Sequence, residues 1–229
     1  VATLCITYLA PAFILPLFNT FTPLEAGELR TAIEGLAVRA GFALSGVFIM
    51  DGSKRSTKGN AFFTGLGNKK RIALFDTLVE DQSVEEISGV LAHEIGHSKL
   101  GHIRKRLVVS ILKTGVIFWL LSLFLHNREL FEAFSMTEMS THAGLIFFAL
   151  LYTPVSLALS VVSSAVSRKH EFEADAYAAQ LTGHPADLAS ALKKLSAKNL
   201  SNLTPHPLMV WLHYSHPPVM QRLERLAAA

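Results

Sequence analysis

At 229 residues the chain has room for one or two domains. Half of its residues are hydrophobic, only 17% are charged and the mean hydropathy is +0.36, high for a wholly water-soluble domain. A net charge of +3, with no stripe of Arg and Lys interleaved with aromatics, argues against nucleic acid as a partner, and the single cysteine excludes an internal disulfide and a Cys-based zinc cluster.

The first apolar run, Leu4 to Phe21, is interrupted by Pro11 and Pro16 and reads as a partial transmembrane helix over residues 1–21. Cys5, inside it, reads as a small buried hydrophobe. The run lacks a basic leader and a small-residue cleavage site, and the chain opens within it on Val1. The expectation is a fragment whose natural N-terminus lies upstream. From Thr22 to Ala40 the pattern is helical, with Thr22 as N-cap and Pro23 in the first turn. "SGVFIMDG" reads as a strand, and "NAFFTGLGNKKRIALFDTLV" as two strands joined by a Gly-Asn-Lys-Lys turn. Ser83 to Arg106 reads as one helix, with Ser83 and Glu86 spaced as a capping box. Residues 22–106 are thus the first part of an α+β domain.

Two further segments have the length and apolarity of a membrane span: Leu107 to Leu125, with one charge at Lys113, and Gly144 to Val166, with none and a single Pro154. Residues 107–166 therefore read as a two-span hairpin. "KLGHIRKR" precedes it and "SRKH" follows it, whereas the intervening loop sets Glu129, Glu132 and Glu138 against Arg128. The positive-inside rule puts both flanks in the cytoplasm. Residues 167–229, with helical patterns in "HPADLASALKKLSAKN" and "PPVMQRLERLAAA", complete the domain on that face. The fold class expected is mostly helical α+β, with multi-span transmembrane helices and a small β-hairpin or sheet.

The chemistry is concentrated in "VLAHEIGHSKLGH". On a helix, positions i and i+4 lie about 40° apart, so His93 and His97 project from one face as two ligands for a tetrahedral zinc. Glu94, about 100° round from His93, is directed at the open fourth position, where it can act as general base toward water. Gly96 leaves room for another segment to approach. His102, about 140° round from His97, reads as a capping or surface histidine. A third ligand comes from "HEFEADAYA": Glu171 and Asp175 are again i and i+4. Glu171 completes the set for one zinc per chain, and Asp175 can take a hydrogen bond from the non-ligating nitrogen of a ligand histidine. Asn60 reads either as a turn residue or as the start of a strand edge that pairs with an extended peptide. His216, ahead of Pro217 and Pro218, is held extended at a helix start. His206 and His213 read as surface histidines.

"HEIGH" followed by "EFEADAYA", with two spans between, resembles the integral-membrane CAAX prenyl endopeptidases, zinc metalloproteases that remove the last three residues of prenylated proteins. "KGNAFFTGL" looks like that family's substrate-binding edge strand and "HYSHPPVMQRLERL" like its C-terminal motif, so the resemblance spans roughly Phe21 to Leu226. It implies a gluzincin-type zinc-protease domain, Asn60 holding substrate backbone, His216 stabilising the tetrahedral oxyanion and Arg222 contacting the site. It also implies a multi-pass membrane protein, probed by peptide or prenylated protein substrates, set in the lipid bilayer as a monomer with its site on the cytoplasmic face. Family members carry further N-terminal spans, so the resemblance also supports the expectation that this sequence is a fragment. Two other readings share the zinc motifs: a heat-shock-type membrane metalloprotease for misfolded membrane proteins, and a non-catalytic zinc-stabilised binder of lipidated peptides. The intact Glu94 argues against the second.

Overall fold

In the computed structural model, which describes residues 14–64 and 70–229, the chain runs through α1 (Leu15–Phe18), β1 (Phe21–Pro23), α2 (Glu28–Arg39), β2 (Leu44–Met50), a 3₁₀ turn (Gly52–Lys54), β3 (Ala61–Thr64) and β4 (Lys70–Phe75). There follow α3 (Asp76–Asp81), α4 (Val84–Lys99), α5 (His102–Leu125), α6 (Arg128–Ala133), α7 (Thr141–Thr182), α8 (Pro185–Lys198), α9 (Pro207–His213) and α10 (Val219–Ala227). It is a mostly helical α+β fold with one small sheet. The chain divides into two compact units, one of residues 1–100, 169–206 and 217–229, the other of residues 101–168 and 207–216.

The first unit is built on a four-stranded sheet in the order β1-β2-β4-β3. β2 and β4 are parallel, with Val47 opposite Ile72 and Ile49 opposite Leu74, whereas β3 runs antiparallel to β4. A hairpin reading covers only β3 and β4; the parallel pair is a non-local contact that local pattern does not report. The turn expected between them falls on residues outside those described, as do Cys5 and most of the first apolar run. Two expected boundaries shift. Thr22 and Pro23 do not start a helix: they pair with Ile49 and Phe48 in β1, where extended backbone suits Pro23, and α2 begins only after Gly27. Asp76 to Val79 is not strand but the start of α3. Ile33 and Leu36 of α2, Ile72 and Leu74 of β4, Leu78 of α3 and Ile87, Leu91 and Ile95 of α4 are all buried in one core. Each such aliphatic side chain contributes about 1.5–3 kcal/mol of burial.

The capping box is present at the start of α4: the Glu86 backbone N–H donates to Ser83 Oγ at 3.3 Å and the Ser83 N–H to Glu86 Oε2 at 2.8 Å. Glu86 is also reached from α8, where Ser190 Oγ and Lys194 Nζ donate to it at 2.7 and 2.6 Å. Burial works against its charge, but these donors outweigh it and hold its carboxyl below the usual range. The helix does not run on to Arg106 as the pattern suggests. Gly101 has φ of +70°, a left-handed conformation that ends one helix and allows the next to start afresh.

In the second unit, α5 and the first part of α7 contain the two predicted apolar segments, and both are long and apolar enough to cross a membrane. Their large side chains face outward: Val109, Phe118 and Trp119 on α5, Ile146, Leu150 and Val162 on α7 are all exposed. Where α5 ends, Phe124, Phe131, Phe147 and Phe148 form an aromatic cluster. Asn127 caps α6, its Oδ1 accepting from the Leu130 N–H at 3.4 Å. His102, read from sequence as a capping or surface histidine, is the first residue of α5 and is fully buried, so the surface alternative fails; the break at Gly101 takes it off the helix that carries His97.

Candidate active site

The site lies in the first unit, where α4 and the last part of α7 cross at van der Waals distance. The reason is Gly96: a Cβ built there would sit 3.2 Å from Ala174 Cα and 3.3 Å from its carbonyl oxygen. Small residues on both helices bring their functional faces together. His93 and His97 from α4 and Glu171 from α7 then converge. Their Nε2 atoms are 3.2 Å apart, and Glu171 oxygens lie 3.6 Å from His93 Nε2 and 3.4 Å from His97 Nε2.

Those spacings test the fit to zinc. Ligand atoms about 2.0–2.1 Å from a tetrahedral ion stand about 3.3–3.4 Å from one another. The three observed separations bracket that value, and the donors are two neutral-capable imidazoles and a carboxylate. The residues fit a single zinc ion with its fourth position left to other ligands.

Behind His93 stands a second layer of support. Its Nδ1 is 2.8 Å from Asp175 Oδ1, and Asp175 is held in turn by Arg222 of α10, whose Nε and Nη2 donate to its two oxygens at 2.8 and 2.6 Å. This bidentate fork fixes the carboxylate plane. Asp175 therefore accepts the Nδ1 proton and leaves Nε2 of His93 directed at the ligand point. Burial opposes ionisation of Asp175, yet hydrogen bonds from His93 and Arg222 prevail and lower its pKa. Burial likewise disfavours a charged His93, but Asp175 and Glu171 raise its pKa. The family resemblance implies for Arg222 only a contact with the site; its partner is Asp175, a pairing across 47 residues that no local spacing reports.

Glu94 is half-buried next to this set, and burial pushes its carboxyl up from the ordinary glutamate value while His93 and His97 pull it down. A carboxyl tuned upward by its surroundings is better suited to take and return a proton than one at its ordinary value. Asn60 is exposed immediately before β3; its Oδ1 accepts from the Ala61 N–H and its carbonyl from the Phe75 N–H, both at 2.9 Å. β3 pairs with β4 on one side, is an edge of the sheet and contacts α4. His216 belongs to the second unit, exposed, with Nδ1 3.0 Å from Ser215 Oγ.

Two histidines with a glutamate between them on one helix, and a glutamate from a second helix, form a group that could hold a metal ion, the arrangement found in metallopeptidases. Peptidase family M48 matches residues 23–229, and the chain belongs to that family. It is 45% identical to CAAX prenyl protease 1 of Saccharomyces cerevisiae, over 94% of this chain and 51% of the relative. It is 36% identical to the CAAX prenyl protease 1 homolog of Homo sapiens, over 99% of this chain and 56% of the relative. The crystal structure of S. mikatae Ste24p superposes with a TM-score of 0.89 at 43% identity, covering 98% of this chain and 56% of that one. The chain thus spans about half the length of the curated relatives it matches.

Proposed function

We propose that the protein is a membrane zinc metalloendopeptidase of the CAAX prenyl protease type. The observation that carries this reading is the convergence of His93, His97 and Glu171 at zinc-ligand spacing, with Glu94 half-buried beside them and Asp175 orienting His93. The names of the relatives supply the substrate class: peptides ending in a prenylated CAAX sequence. Zinc, when bound, would polarise the scissile carbonyl and lower the pKa of water. Glu94 removes the proton from the attacking water and passes it to the leaving amine. His216 donates a ring N–H to the developing oxyanion. The free edge of β3, led by Asn60, adds the substrate as an extra strand and so presents an extended backbone to α4.

The same reading places α5 and residues 144–166 of α7 across the bilayer. At 24 residues α5 is about 36 Å long, enough for a hydrocarbon core about 30 Å thick. Outward-facing apolar side chains are what lipid requires and water does not. Arg104, Lys105, Arg106, Arg168 and Lys169 flank the pair on the side assigned to the cytoplasm.

The test uses the full-length protein and a farnesylated CAAX peptide. Glu94→Gln should retain zinc and peptide binding and lose nearly all turnover. If it keeps more than about a tenth of wild-type turnover, Glu94 is not the base, since such a loss is far below the usual general-base contribution. Full zinc occupancy in both His97→Ala and Glu171→Ala would overturn the ligand assignment.

A further inference from the structure

Arg168 is the last residue of the second unit's helical stretch, two residues beyond the apolar segment ending at Val166. By sequence it is one of several flanking cations. In the structure it does something the others do not: its half-buried guanidinium donates through Nη1 to the Val210 carbonyl at 3.1 Å and to the Tyr214 carbonyl at 2.6 Å. Val210 is buried in α9, and its carbonyl also accepts from the Tyr214 N–H at 3.2 Å, so the guanidinium adds a second donor to the bond that closes the end of the helix. Tyr214 is the first residue beyond that helix and stands two residues before His216. One side chain therefore ties down both the end of α9 and the turn leading out of it. A cation at a helix C-terminus is also favoured by the helix dipole.

We propose that Arg168 is a positioning residue for His216. It rests on the reading of His216 as the oxyanion donor. Three features support it. The Val210–Tyr214 clamp restrains the chain on the N-terminal side of His216, and buried Pro217 and Pro218 restrain it on the other, so an exposed side chain is carried on a fixed backbone. The clamped turn also carries Ser215, whose Oγ is 3.0 Å from His216 Nδ1. When that hydroxyl donates to Nδ1, the ring proton sits on Nε2, the tautomer that an oxyanion donor needs. Finally, both contacts come from one guanidinium nitrogen, so removing it breaks the two at once and leaves the Val210 carbonyl with the Tyr214 N–H alone.

The experiment measures kcat and KM on a farnesylated CAAX peptide for full-length wild type, Arg168→Ala, Arg168→Lys, His216→Ala and the Arg168→Ala/His216→Ala double variant. Zinc content and amide hydrogen exchange over residues 207–216 are read alongside. Arg168→Ala should lower kcat by about 10- to 100-fold, the loss expected when a group is misplaced by about 1 Å. KM and zinc content should stay near wild type, and exchange at Tyr214 to His216 should rise. Arg168→Lys keeps the charge that bears on membrane orientation and should recover much of kcat, as should guanidinium added to Arg168→Ala. The double variant should be no slower than His216→Ala. Wild-type kcat in Arg168→Ala with His216→Ala impaired overturns this proposal and leaves the oxyanion reading intact; so do losses that multiply in the double variant. Wild-type kcat in His216→Ala overturns the oxyanion reading and the proposal with it.

Discussion

Gly96→Ala is the smallest change that probes how the site is assembled. The new methyl group would meet Ala174 Cα and Tyr177 Cδ1, each at 3.2 Å, and the Ala174 carbonyl oxygen at 3.3 Å. Carbon atoms in ordinary contact stand about 3.5–4.0 Å apart, so α4 and α7 must separate by about 0.3–0.8 Å. Two of the three obstacles are backbone atoms and cannot rotate away. Overpacking of this kind costs about 1–3 kcal/mol, whereas replacing a mid-helix glycine by alanine returns about 0.8–1 kcal/mol. The net expectation is a loss of up to about 2 kcal/mol. Gly35→Ala supplies the control, because Gly35 is exposed within α2 and a Cβ there meets nothing within 4 Å. It should stabilise the protein by the propensity gain alone, so the difference between the two variants isolates the packing cost. The shift also reaches the ligands. Ala174 lies three residues after Glu171, whose oxygens now stand 3.4 and 3.6 Å from the two Nε2 atoms. Metal sites tolerate about 0.2 Å in ligand position. Thermal unfolding in detergent and competition with a zinc chelator measure both effects. If Gly96→Ala matches Gly35→Ala in stability and keeps wild-type zinc affinity, close approach of the two helices does not build the site.

Other outcomes follow from the same geometry. Asp175→Asn removes the acceptor of the His93 proton and the counter-charge of Arg222, and chelator competition should show zinc affinity lowered by about 10- to 100-fold; unchanged affinity would remove Asp175 from the site's support. Glu86→Gln should destabilise the fold by about 1–3 kcal/mol at neutral pH, because Lys194 and Ser190 lose an ionised acceptor. The Glu86 pKa is depressed in the folded state, so its contribution is complete above the ordinary value of 4.5 and is lost as pH falls through the lower, folded value. The gap between wild type and Glu86→Gln should therefore close on acidification, and a gap that is constant with pH refutes the ionic account. In a Cys5→Ser background, cysteines at Lys105 and Thr137 should label from opposite faces of a sealed membrane; labelling from one face would rule out the two-span layout.

What could be read along the chain was what repeats along it. Helical period put His93 and His97 on one face and Glu171 and Asp175 on another, and apolar length marked the two long helices, because side-chain direction and burial follow directly from local spacing. The Ser83–Glu86 box was equally legible, since both partners lie within one turn. Local pattern failed where a distant partner decides. Thr22 and Pro23 have good helix-start chemistry, yet pairing with Ile49 and Phe48 of β2, distant in sequence, draws them into a strand. The parallel β2–β4 pairing, the Arg222–Asp175 fork and the burial of His102 all depend on segments brought together only by folding. The proposed ligand triad itself joins residues 74 positions apart, from His97 to Glu171. Sequence spacing supplied each half of that site, but its zinc-sized geometry exists only because Gly96 lets the helix backbone of Ala174 come within contact distance.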